Sequence, residues 1–431
     1  MRPKHSVLSR SGRCDRRRGH LAHGVSATVA AAAVVVLAAT TSAASWAQQH
    51  ATVDGKVVRV VDGDTVTVDV WGDGITTPQP IRNAGIQAME VGQCHSGPAS
   101  AAMAALVAGR HVRLSAKYAA SSSLGRPVRF LDVITSRGPV DPQLSLLASG
   151  QALPLVIPPE TGRWKAYFTA AQKAAAARKN LWDTSYCKAG PAQLTPIRLW
   201  VNYDADGDDN KVVNGEYVRI LNQGSVALHV GGWWVRTAAQ DSFRFPAGAV
   251  VQPHATVTLY VGKGVASATR FYWGNTVPRF PNIELPGAYG SGAYLFDPDG
   301  DVRAHATYPC LFACTDVRSG QLHLLVNYDA PGDDMTNPNG EYVDITSSAT
   351  RTVDLSHTVL SIHGNVREFG SGTFIAPGER LRTYVGTGGN SRLTHHWGKP
   401  SALFPNAGGV LVLRTTEGWR LACRSWGNGA C

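Results

Sequence analysis

The sequence predicts a mainly β, multi-domain protein: a module of strands with three helices, followed by two antiparallel β-sandwiches. Three observations carry this. The 431 residues exceed one ordinary domain and, at roughly 150 residues each, predict two to four. Hydrophobic residues at 44% against 17% charged describe globular material rather than a disordered polyelectrolyte. The second half also repeats itself. Val201-Asn202-Tyr203-Asp204-Ala205 returns as Val326-Asn327-Tyr328-Asp329-Ala330, and Asn214-Gly215-Glu216-Tyr217-Val218 as Asn339-Gly340-Glu341-Tyr342-Val343, at one offset of 125 residues. Tyr260-Val261-Gly262 and Trp273-Gly274 return as Tyr384-Val385-Gly386 and Trp397-Gly398. Blocks held in register over this length mark two homologous modules.

Residues 1–47 read as an export signal. Arg2, Lys4, Arg10, Arg13 and Arg16-Arg17-Arg18 precede an apolar stretch from Val25 to Ala39, which leads to the small-x-small site Ser45-Trp46-Ala47. The competing reading is an anchor, but about 15 apolar residues fall short of the roughly 20 that a span needs. The expectation is a secreted protein, released or held at the cell envelope. The formal charge of +10 divides accordingly, with +6 in residues 1–47, +4 in 48–187 and zero in 188–431. Bulk charge therefore supports nucleic-acid binding only by residues 48–187, and modestly.

Six cysteines follow Cys14. They fall two to a module, which predicts the pairs Cys94–Cys187, Cys310–Cys314 and Cys423–Cys431 and an oxidising destination.

Within residues 48–187, Lys56–Val61 and Thr65–Val70 alternate as strands around the turn Asp62-Gly63-Asp64. A third strand is expected over 80–86, and more at 112–114 and 128–133. Pro98–Gly109 reads as an Ala-rich helix. Asp141 followed by Pro142 caps a second helix running to Gly150, and Trp164–Trp182 reads as one long third helix. Residues 188–196 read as a linker. Residues 197–318 and 319–431 then show short alternating segments between turns, such as Thr256–Val261 and Gly409–Arg414. Neither copy has a helical stretch, which suits an antiparallel sandwich. Trp233, Trp234, Tyr260 and Trp273 are expected in its core. Asp204-Ala205-Asp206-Gly207-Asp208-Asp209 lacks the EF-hand spacing and reads as a turn capped by its own side chains.

The chemistry concentrates in the first module. Asp62 and Asp64 share a tight turn, Arg82 lies on the third strand, Glu90 lies beyond it, and Arg126 follows Gly125. Carboxylates hold hard divalent cations, paired arginines clamp a phosphodiester, and a carboxylate can activate water. An Asp-Gly-Asp hairpin and surface arginines are also ordinary features.

The ordered motifs add to this. Val60-Val61-Asp62-Gly63-Asp64-Thr65-Val66, Ile81-Arg82 with Gly85-Ile86 and Glu90, Gly125-Arg126 and Asn180-Leu181-Trp182 closely resemble the thermonuclease family of staphylococcal nuclease homologues, over about residues 54–187. The resemblance implies a five-stranded OB-fold barrel with three helices and calcium-dependent hydrolysis of DNA and RNA. It implies Asp64, Gln87 and the Ala88 carbonyl as metal ligands, Arg82, Glu90 and Arg126 as catalytic residues, and Asp62 and Thr65 as support. Gln87 stands where the family usually has an aspartate, which removes one charge from the calcium site, and Met89 replaces a proline.

The repeats resemble the lamin tail domain, an Ig-like sandwich, over about 197–310 and 322–431. The carrying residues are Asn202-Tyr203-Asp204, Asn214–Val218, Trp273-Gly274 and their counterparts. The expected function is a secreted, monomeric, calcium-dependent nuclease that binds nucleic acid through residues 48–187. Its tandem accessory modules would take a protein, cell-wall or glycan ligand. The alternative is a non-catalytic extracellular or envelope-associated scaffold with a degenerate nuclease domain.

Overall fold

The computed structural model describes residues 51–74, 76–188, 194–283, 288–314, 316–416 and 418–431. The expected signal segment and most of the expected linker lie outside the described residues.

The first module runs β1 (Thr52–Val60), β2 (Thr65–Val70), β3 (Gln79–Asn83), β4 (Ile86–Gln87), α1 (Ser96–Val107), β5 (His111–Ser115), β6 (Ser122–Ser123), β7 (Arg126–Thr135), β8 (Gly138–Val140), α2 (Pro142–Ser149), β9 (Leu153–Pro154) and α3 (Trp164–Ala176). Strands β3, β2, β1, β5 and β7 pair in that order, and β7 returns to β3 in parallel through Arg82↔Val128 and Asn83↔Arg129. The five strands therefore close a barrel with no free edge. Counting them one to five along the chain, the order around the barrel is 1-2-3-5-4-1, with a parallel closure between three and five. This is the OB arrangement. Alternation supplies the interior: Val66, Val68 and Val70 of β2 point inward with Val112 and Leu114 of β5.

The third strand ends at Asn83, not at residue 86. Gly85 turns the chain with φ +80°, and a Cβ there would lie 2.2 Å from the Tyr167 ring. Ile86 and Gln87 then form β4 and pair with Leu153 and Pro154. Helix α1 buries Ala99, Met103 and Val107, one side chain per turn. Helix α2 begins as expected, with Asp141 Oδ1 accepting from the Leu144 amide and Pro142 at its first position. The last helix is shorter than expected. It stops at Ala176, Arg178 and Asn180 take positive φ, and Asn180–Trp182 form a separate 3-10 turn.

Ala-rich α3 is apolar on two sides because it is buried on two sides. Tyr167, Ala170, Ala171 and Ala174 join the barrel core. Gln172 meets the next module, donating to the Pro309 carbonyl and accepting from the Leu311 and Phe312 amides. Ala238, Tyr294, Phe296 and Val302 of that module also join the barrel core.

The second and third modules repeat one plan. In the second, strands 197–202, 217–222, 256–260 and 270–272 form one sheet; strands 242–244, 234–237, 291–296 and 302–308 form another. The third repeats both sheets, at 322–327, 342–347, 380–384 and 394–396, and at 365–368, 359–362, 408–414 and 420–427. Each copy ends its first sheet with a parallel pair, 258–260 with 270–272 and 382–384 with 394–396. Each has its own apolar core, as facing sheets require. Trp233 is buried, while Trp234, Tyr260 and Trp273 are half-buried. Disulfides join Cys94 to Cys187, Cys310 to Cys314 and Cys423 to Cys431. No helix among the described residues is long and apolar enough to cross a membrane.

Candidate phosphodiester site

Barrel closure brings the expected residues to one end. Thr65 pairs with Arg82 across β2 and β3, Arg82 pairs with Val128 across β3 and β7, and Arg126 opens β7. Three neighbouring strands thus present Asp64, Arg82 and Arg126 side by side. The turn before β2 is folded by its own acid: Asp62 Oδ1 accepts from the Asp64 amide at 2.9 Å. Glycine is needed at its centre because a Cβ on Gly63 would lie 2.6 Å from the Ala88 Cβ. The turn is therefore pressed onto the segment that leads to Glu90.

Asp64 is 5% exposed. Its Oδ2 accepts from the Ala88 amide at 3.0 Å and faces Arg82 Nη2 at 3.4 Å; its Oδ1 accepts from Thr65 Oγ1 at 3.0 Å. Burial raises its pKa, against the pull of the Arg82 charge. Arg82, 4% exposed, is likewise held below its ordinary basicity by burial, with Asp64 opposing. It donates to the Asn83 carbonyl at 2.6 Å and to Gln87 Oε1 at 2.8 Å. Arg126 Nη1 donates to Thr65 Oγ1 at 3.0 Å, so Thr65 links the second arginine to Asp64. Met89, which stands where the resembled family has a proline, packs into the barrel core.

The expected calcium donors lie together but are occupied. Arg82 Nη2 sits between Gln87 Oε1 and Asp64 Oδ2, and the Ala88 carbonyl accepts from Gln87 Nε2 at 3.0 Å. With aspartate at 87 the set would carry two anionic ligands; with glutamine it carries one, already neighboured by a guanidinium. As folded, these residues do not fit a calcium centre. Among the described residues, the one group of three His, Cys, Asp or Glu side chains close enough to share an ion is Cys94, His95 and Cys187, and both of its sulfurs are joined in a disulfide.

Glu90 is exposed at the rim. Its Oε1 accepts from Gln87 Nε2 at 3.0 Å and from Gln240 Nε2 of the second module. Arg236 approaches from the same module. It is 4% exposed, its basicity is lowered by burial, and Glu90 and Asp64 are among the charges acting on it. Arg236 and Gln240 lie outside the expected set. They stand about 150 positions away in sequence, and nothing in local pattern connects them to Glu90.

The second module has its own recognisable plan. Its Glu216 carboxylate is fully buried and accepts the Arg279 amide at 2.6 Å and the Phe280 amide at 3.1 Å. Asn202 Nδ2 donates to the Gly215 carbonyl at 2.7 Å. Residues 200–310 match the lamin tail domain family. A search of curated proteins returned no match.

The lamin tail domain is Ig-like, in keeping with its two facing sheets. Its recurring residues hold the fold together. Glu341 repeats the role of Glu216 by accepting the Leu403 and Phe404 amides, and Asn327 repeats that of Asn202. The acids of 204–209 are engaged as well. Asp209 accepts the Ala205 amide, Asp208 the Asn210 amide, and Asp206 meets Lys399.

Proposed function

We propose that the barrel binds and hydrolyses a nucleic-acid phosphodiester. The observation that carries this is the juxtaposition of Arg82, Arg126 and Glu90 at one barrel end, with the arginines tied through Asp64 and Thr65. The guanidiniums of Arg82 and Arg126 bind the phosphate and offset charge that develops on its oxygens. Glu90, at the exposed rim, takes a proton from water as it attacks phosphorus, the P–O bond to the leaving oxygen breaks, and that oxygen takes a proton from solvent. The resemblance to thermonucleases, carried by the same residues, points to the same chemistry. The second sandwich repeats the strand plan of the lamin tail domain and its buried glutamate, and we read it as a second such domain. The pair acts as an accessory module on an exported chain.

The test is incubation of the protein lacking residues 1–47 with DNA and RNA, in chelator and in calcium. Cleavage in chelator that is lost in Glu90→Gln supports the arginine–carboxylate chemistry. Cleavage only with calcium would overturn the metal-free arginine–carboxylate chemistry. A second reading is favoured by the occupied donors: the barrel binds oligonucleotides without cutting them. Oligonucleotide binding with no cleavage under either condition would establish it.

A further inference from the structure

The lamin tail domain does more than abut the barrel. Between them lies a cleft of about 410 Å³, lined by Met89 and Gln93 of the barrel and by Trp234, Arg236, Gln240 and Arg244 of the domain. Gln240 both lines this cleft and bonds to Glu90, so one side chain links the cleft to the carboxylate proposed as the base.

Its cations form no ion pair among the described residues. Arg236 donates to the Thr237 and Ala238 carbonyls at 3.0 and 3.2 Å. Arg244 lies over the Trp234 ring at 4.8 Å and donates to the Gly232 carbonyl. Trp234 is itself stacked on Phe296, which fixes the wall against which Arg244 rests. The acid on the same cleft, Asp299, is paired with Lys188 at 3.2 Å. Arg236 lies within the field of the Glu90 and Asp64 carboxylates but is bonded to neither, and a guanidinium that has lost hydration without a directly bonded counter-ion stabilises an anion that reaches it. The volume suits a ligand of nucleotide size.

We propose that this cleft is a nucleotide subsite: it takes the unit next to the scissile bond of a single-stranded nucleic acid, with Arg236 and Arg244 as its phosphate contacts. The inference rests on reading the barrel as a phosphodiesterase. It makes the lamin tail domain part of the substrate site.

The test uses the full chain without residues 1–47, a labelled single-stranded dodecamer and a dinucleotide whose one phosphate is the scissile one, so that it offers Arg244 no phosphate. Arg244 is exposed, so Arg244→Ala keeps the fold. In this variant the KM for the dodecamer is expected to rise about fivefold relative to that for the dinucleotide. In the Glu90→Gln background, the slope of log affinity against log salt is expected to fall by about 0.7, the value for one contact on a single strand. Arg244→Lys is expected to restore the salt slope, because it keeps the charge. If the parent protein binds or cuts the dodecamer and Arg244→Ala leaves both the KM ratio and the salt slope unchanged, the subsite is wrong while the barrel reading stands. If the parent protein neither binds nor cuts either substrate, the barrel reading fails and the subsite falls with it.

Discussion

Gln240, on a turn of the lamin tail domain, donates a hydrogen bond to Oε1 of Glu90 in the barrel. Gln87 donates to the same oxygen. The proposed base is therefore oriented by two neutral amides, one from its own loop and one from the neighbouring domain. Removing the second amide tests whether that orientation matters. Gln240→Ala is expected to lower kcat roughly fivefold, or about 1 kcal/mol for one hydrogen bond, with KM little changed. Steady-state kinetics on a short substrate check this, and an unaltered kcat would mean that Glu90 does not depend on the sandwich.

Arg82 and Arg126 carry the same expected role but sit in different surroundings. Arg82 is buried against Asp64, so Arg82→Ala leaves a carboxylate without its partner in the interior. Such a loss costs about 3–5 kcal/mol. Arg126 is half-buried and holds one hydrogen bond to Thr65, so Arg126→Ala is expected to cost about 1 kcal/mol. Urea unfolding of the two variants should separate them clearly; equal losses would contradict the placement of Arg82.

Residue 87 decides the character of the occupied donor set. Gln87→Asp adds a second carboxylate beside Asp64 and supplies the anionic ligand that calcium favours. A ligand that binds only the folded state raises its melting temperature by mass action. Calcium at about 1 mM is expected to raise the melting temperature of Gln87→Asp and to leave the parent unchanged. Equal shifts in both proteins would show that residue 87 is not a ligand.

Glu216 is the buried anchor of the lamin tail domain. Burial pushes its carboxyl up to about 8, with the Arg279 and Phe280 amides opposing. The folded value lies above the unfolded one, so this group's contribution to stability is full below about pH 4.5 and is lost as pH rises through about 8. Glu216→Gln removes the titration and leaves one amide poorly paired. Its cost is expected to be about 1–3 kcal/mol at low pH and to shrink on the alkaline side. Melting curves at pH 6 and pH 9 check this, and a cost that grows with pH would reverse the assignment.

Much of the architecture is legible in the sequence. The offset between Asn202 and Asn327 is enough to define the tandem modules, and matching strand plans follow from matching residues. Two cysteines in each module suffice to pair all six. Alternation in Thr65–Val70 marks a half-buried strand, and Asp141-Pro142 marks a helix start, because both signals are local. One of the shifted boundaries has a tertiary cause. The third strand stops early because Gly85 must pass the Tyr167 ring, and the last helix stops at Ala176 although its alanines would continue it.

The same division runs through the site. Sequence alone supplied the expectation that Asp64, Arg82, Glu90 and Arg126 work together, carried by a resemblance in their order and spacing. It also showed that glutamine stands at position 87. Only the tertiary structure decided what that glutamine does: its amide oxygen faces Arg82, its nitrogen faces Glu90, and the guanidinium sits among the donors. Only the tertiary structure brought Gln240 and Arg236 to the barrel's rim. The reason is physical. Hydrogen bonds and ion pairs depend on distances of a few ångströms, and residues 150 positions apart acquire such distances only when the α3 helix and the shared core of Trp182, Tyr294 and Phe296 pack the two domains together.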